Sequence, residues 1–105
     1  MEVVDSSPTI EMLPKAFAKF IHGESLTVAR WYIEAGGKIP EHRHEHEQVI
    51  NCLEGLFHVF IEGKLFILDN GKSIVIPSSA LHSAVAITDV KCIDVFHPVR
   101  EDYRL

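Results

Sequence analysis

Gly36-Gly37-Lys38-Ile39-Pro40-Glu41-His42-Arg43-His44-Glu45-His46-Glu47-Gln48, followed by an apolar run to Gly55, is the stretch around which the chain is organised. Three of the seven histidines fall here at every second position. In an extended strand alternate side chains share a face. The spacing therefore predicts that His42, His44, His46 and Gln48 point one way and Arg43, Glu45 and Glu47 the other. Neutral imidazoles converging on one point are good ligands for borderline transition metals. Gln48 adds a neutral oxygen on the same side.

Outward from this block the chain reads as short strands. Ala16–Ile21 alternates weakly, and Leu26–Ile33 is rich in β-formers up to the break at Gly36-Gly37. Val49–Leu53, Leu56–Ile61, Lys64–Leu68, Ser73–Ile76, His82–Ile87 and Val90–Phe96 follow. Glu62-Gly63 is a tight turn and Asp69-Asn70-Gly71 a hairpin signal. No helical period persists for the ~10–12 residues that a helix needs. Many short strands with regular turn signals indicate an all-β sandwich or barrel. Residues 1–14 read as an irregular N-terminal arm, broken by Pro8 and Pro14, and residues 98–105 as a polar C-terminal tail.

With 105 residues the chain is expected to form one domain with a modest core. A net charge of −5 and the lack of a basic run disfavour nucleic acid and anionic membrane surfaces as partners. No apolar run approaches the ~20 residues of a membrane span. Met1–Asp5 has neither the basic start nor the apolar stretch of a signal peptide, so a cytoplasmic location is expected. Cys52 and Cys92 sit in apolar runs and read as small buried hydrophobes.

His82 completes a second block: Gly71, five residues, Pro77, one residue, Ser79, two residues, His82. The first block reads Gly36, five residues, His42-x-His44, three residues, Gln48, six residues, Gly55. Together they resemble the two signature motifs of the cupin superfamily. The resemblance spans about residues 36–97. Gln48 stands where glutamate is commonest, Ser79 where glycine is usual and Ala86 where asparagine is usual. The resemblance implies a small jelly-roll β-barrel holding one divalent metal on His42, His44, Gln48 and His82. His46 lies outside that ligand set and is expected to line the pocket or support another ligand. Nitrogen-rich sets suit Ni, Fe, Zn, Mn or Cu, and three imidazoles with a carboxamide leave the cation's charge uncompensated, which favours an anionic ligand.

The last strand continues Asp94-Val95-Phe96-His97-Pro98-Val99-Arg100-Glu101-Asp102-Tyr103. Parity puts Cys92, Asp94 and Phe96 on one face, and Ile50 and Cys52 on that of Gln48. An Asp in an apolar strand needs a partner or a task. One reading pairs it with Arg100 or Lys91 as a buried strut. The other follows from resemblance. This tail, after a His-rich block, is similar to small pectin- and alginate-degradation cupins that open 4,5-unsaturated uronate monosaccharides to linear keto acids. The resemblance makes Asp94, Phe96 and Arg100 catalytic, with Arg100 gripping a small sugar-acid carboxylate in bidentate fashion. An Fe(II)-dependent cupin dioxygenase and a non-catalytic sugar-binding cupin are the alternatives. A homodimer is expected, because cupins often pair and the apolar arm and exposed strand edges invite it.

Overall fold

The structure is a computed structural model that describes residues 3–4 and 7–104. Ten strands run β1 Ile10–Leu13, β2 Ala16–His22, β3 Thr27–Ile33, β4 Lys38–His42, β5 Glu47–Glu54, β6 Phe57–Ile61, β7 Lys64–Leu68, β8 Ser73–Ile76, β9 His82–Ala86 and β10 Val90–His97. One 3-10 turn, Glu101–Tyr103, follows. The strands form a six-stranded antiparallel sheet, β1-β2-β3-β10-β5-β8, and a four-stranded one, β4-β9-β6-β7. The two sheets enclose a core of two hydrophobic clusters, with Trp31 packed against both, in the all-β architecture that the turn spacing predicts. Among the described residues no helix is long and apolar enough to cross a membrane.

Period-2 patterning decides which side chains fill that core. β10 alternates buried Val90, Cys92, Asp94 and Phe96 with outward Lys91, Ile93, Val95 and His97. Its neighbour β5 does the same with Gln48, Ile50 and Cys52. Ile33, Phe57, Val59 and Ile76 meet them from the other strands. Both cysteines are buried and unbridged, directly opposite one another across β5 and β10.

Three expectations are corrected. The N-terminal arm is not irregular to residue 14, because Ile10–Leu13 pairs with β2 and Met12 packs beside Phe20 and Phe96. Burial of one apolar face outweighs the flanking prolines. Within the arm, Met1, Glu2, Asp5 and Ser6 lie outside the described residues, as does Leu105 of the tail. Glu62-Gly63 does close a hairpin, with Ile61 paired to Lys64. Asp69-Asn70-Gly71 does not. The chain there crosses between sheets, since β7 pairs with β6 while β8 pairs with β5. A turn signal reports a reversal of direction but not which strand lies next door. Finally, the histidine block is not one strand, for β4 ends at His42 and β5 begins at Glu47.

Gly55 shows how tightly these crossings are made. Its φ is +97° and an added Cβ would lie 2.1 Å from the Asp89 carbonyl oxygen. Gly63 also has positive φ, +77°, yet its Cβ would meet nothing within 4 Å. Gly63→Ala is expected to cost about 1 kcal/mol, the left-handed penalty alone. Gly55→Ala adds a backbone clash and should cost about 3 kcal/mol or more. Urea midpoints of the two variants check the difference; equal midpoints would contradict the close approach.

Candidate metal centre

β4 delivers His42 and β9 delivers His82, directly opposite one another in the sheet register. His44 comes from the loop between β4 and β5, which is tied down where Ser79 N donates to the His44 carbonyl at 2.8 Å. Ser79 has φ +64°, which explains why glycine is usual at this position of the motif. The three rings pack with centroids 4.2 Å (His42–His82), 4.8 Å (His44–His82) and 5.4 Å (His42–His44) apart. One nitrogen from each lies within 4.8 Å of the others, so this group can hold a metal ion.

The backbone decides which nitrogens those are. Each Nδ1 meets a carbonyl: His42 that of Pro40 at 2.8 Å, His44 that of His46 at 2.9 Å, His82 that of Ala80 at 2.8 Å. A carbonyl only accepts, so each Nδ1 carries the proton and donates it. In the neutral rings the lone pairs are then on Nε2, and Nε2 of His82 is buried with no partner. His46 thus supports a neighbour through its carbonyl, while its own ring stays outside the group.

Gln48 is aimed in the same way. On β5 it pairs with Phe96 of β10, which sets Asp94 diagonally across from it. Gln48 Nε2 donates to Asp94 Oδ2 at 2.9 Å, turning Oε1 toward the histidines, 3.1 Å from His44 Nε2. Two acceptors facing at that distance repel unless something positive sits between them. Donors about 2.1 Å from one cation lie about 3 Å apart when they subtend a right angle. The orphaned His82 nitrogen and the facing lone pairs of His44 and Gln48 fit a divalent transition ion.

Electrostatics favours the neutral rings. Burial is the main cause that lowers His44 to about 4, helped by Arg100 and His82 and opposed by the His46 carbonyl. Burial also lowers His82. Burial raises Asp94 to about 7, against the lowering pull of Gln48, Cys92 and Arg100.

Behind the histidines lies a cavity of about 40 Å³, lined by Trp31, Gln48, Asp94, Phe96, Arg100 and apolar side chains including Ile50 and Cys92. Trp31 thus faces inward, while Tyr32 faces out toward Asp89. Cys52 and Ala86 do not line this cavity and pack in the core beside it. The strut reading of Asp94 fails. Lys91 has the opposite parity and pairs with Glu54, and Arg100 pairs with Asp102. Asp94 Oδ1 remains buried without a partner.

Arg100 is only 5% exposed, and its N–H donates to buried Thr27 Oγ1. Its Nε and Nη2 donate to the two carboxylate oxygens of Asp102 at 3.0 and 2.7 Å. The guanidinium lies 3.9 Å from the Tyr103 ring centroid and 4.8 Å from that of Phe96. The Nε–Nη2 edge is thus occupied, while the end-on edge, Nη1 with the second N–H of Nη2, stays uncommitted, and Nη1 is buried and unpartnered. Thr27, Asp102 and Tyr103 carry no assigned role in the sequence reading. The Arg-x-Asp-Tyr run was the available signal for the last two.

The cupin domain pattern matches residues 29–96. The chain belongs to the cupin family. Among solved structures this cupin is similar to KdgF from Halomonas sp., with 30% identity, a TM-score of 0.87, and 92% of this chain and 91% of that one covered. An RmlC-like cupin from Shewanella frigidimarina NCIMB 400 shows 28% identity and a TM-score of 0.89, with 94% and 90% covered. Salicylate 1,2-dioxygenase from Pseudoaminobacter salicylatoxidans, at 20% identity and a TM-score of 0.77, shares the fold over 82% of this chain and 28% of its own. No curated protein matches this cupin.

The shifted groups carry a pH signature in the metal-stripped protein. His44, lowered to about 4 from 6.5, binds fewer protons folded than unfolded, so its contribution is full above pH 6.5 and lost as pH falls through about 4. Asp94, raised to about 7 from 3.8, binds more, so its contribution is full below pH 3.8 and lost as pH rises through about 7. Between about pH 4 and 6.5 the two slopes oppose. Asp94→Asn removes one of them, and its urea midpoint should rise with pH across that window more steeply than the wild type's; a parallel profile would contradict the burial of Asp94 as an acid.

Proposed function

We propose that this cupin is a metal-dependent enzyme that opens 4,5-unsaturated uronate monosaccharides to linear keto acids. The observation that carries this reading is one small cavity lined by His42, His82, Asp94 and Arg100, with one oxygen of Asp94 and one nitrogen of Arg100 buried and unpartnered. The resemblance of the tail to pectin- and alginate-degradation cupins supports it, beside the 30% identity to KdgF.

The substrate carries a carboxylate next to a C=C bond. In the reaction the hemiacetal hydroxyl loses its proton, the ring C–O bond breaks to an aldehyde and an enol, and the enol takes a proton on carbon to become a ketone. No atom is gained or lost. His42, His44, Gln48 and His82 would hold the metal ion, Ni, Zn, Fe or Mn. When bound, the ion supplies Lewis acidity that stabilises negative charge developing on oxygen. Arg100 binds the carboxylate. Asp94, which lines the same cavity, moves the proton from oxygen to carbon, a role typically contributing ~10²–10⁴-fold. Phe96, 2% exposed and edge-on to His44, closes the wall and keeps water from the enol. A cavity of about 40 Å³ takes a carboxylate-sized group, since a water needs roughly 10–15 Å³ on the same measure, so the sugar ring sits at the mouth.

Metal-loaded protein should accelerate the loss of the absorbance of unsaturated galacturonate without consuming oxygen. Asp94→Asn should keep the metal and lose about 10²-fold or more of the rate. Decay at the spontaneous rate would refute the substrate class, and oxygen uptake would move the assignment to the dioxygenases.

A further inference from the structure

Arg100 is held by more than its own strand. Three contacts fix the guanidinium: Asp102 on the Nε and Nη2 edge, Tyr103 on one aromatic contact and Phe96 on another. Asp102 and Tyr103 both belong to the short 3-10 turn that follows Arg100. The Asp102 side chain is 57% exposed while that of Arg100 is 6% exposed, so the pair spans the barrel wall from solvent to cavity. A guanidinium offers five N–H donors in a rigid planar fork. With Nε–H and one Nη2–H committed outward, rigidity turns the opposite edge, Nη1 with the second N–H of Nη2, inward. Nη1 is buried and unpartnered.

From this we infer that Asp102 is a positioning residue: it locks the outer edge of Arg100 so that an anion in the cavity is met by the end-on edge, Nη1 with the second N–H of Nη2. A carboxylate in a cavity of about 40 Å³ then meets that edge and not the Nε edge. The arrangement also explains why a buried arginine is tolerated beside imidazoles. Asp102 supplies a countercharge at 2.7 Å. Released from Asp102, the guanidinium would also offer a carboxylate its Nε–Nη2 edge. That grip is differently placed, and a misplacement of about 1 Å can cost 10²-fold in rate. The inference rests on the proposed reaction only for the identity of the carboxylate.

The test uses the zinc-loaded protein with ¹⁵N-labelled arginine, acetate as the anionic probe, and the variants Asp102→Asn and Asp102→Ala. In the wild type the Arg100 Nε–H should exchange slowly, and acetate should shift the Nη signals while leaving Nε–H in place. In Asp102→Ala the Nε–H protection should be lost and acetate should now shift Nε–H, with Asp102→Asn intermediate. Zinc content should be unchanged in both variants, which separates positioning from a general structural role. With unsaturated galacturonate, kcat should fall about tenfold or more in Asp102→Ala while KM does not rise. Retained Nε–H protection in Asp102→Ala, or acetate displacing Asp102 in the wild type, would overturn the inference. So would kcat within twofold of wild type. If wild-type protein leaves the sugar untouched, the proposed reaction fails, and the acetate arm alone then decides the role of Asp102.

Discussion

Three backbone carbonyls set the chemistry of this barrel. Those of Pro40, His46 and Ala80 each take the Nδ1 proton of a histidine two residues away. Without these bonds each ring would rotate and choose its tautomer freely. With them, each neutral ring presents its Nε2 lone pair to the group, and the convergence that the fold provides becomes a coordination pocket. The supporting shell is thus local in sequence although the histidines come from two strands and a loop, and losing an outer partner of this kind typically costs about 10–100-fold in metal affinity or activity.

A fourth group is oriented by a longer-range contact. The β5–β10 register sets Gln48 diagonal to Asp94, and one hydrogen bond there both turns the Gln48 oxygen toward the histidines and anchors one oxygen of Asp94. The remaining Asp94 oxygen is buried without a partner. Replacing the common glutamate with Gln48 makes this possible, because a carboxylate in its place could not donate to Asp94. The same substitution leaves the donor set neutral. A divalent ion held there keeps its full charge and favours an anionic ligand, in keeping with the arginine on the opposite wall.

Much of this was legible in the sequence. Strand parity alone put Asp94, Phe96, Gln48 and Ile50 on one inner face, because β5 and β10 are long and regular. The resemblance of the two blocks to the cupin motifs, not the spacing of the histidines alone, pointed to His42, His44 and His82 as the group that the fold assembles. Parity failed where the strand ended: His44 and His46 sit in a loop, and a period of two has no meaning there. The Asp69-Asn70-Gly71 turn was recognisable as a turn, yet the change of sheet depends on strand pairing far away in sequence. The roles of Asp102 and Tyr103 were hidden for a different reason. Their contacts with Arg100 depend on a single 3-10 turn, too short for any periodic signal.

X-ray absorption at the zinc edge of the zinc-loaded protein tests the central claim most directly, since it reports the atoms around the ion. The account requires a single shell of nitrogen and oxygen at about 2.0–2.2 Å, with outer scattering from three imidazole rings. A sulfur shell at about 2.3 Å, or a shell of oxygens without imidazole scattering, would contradict it.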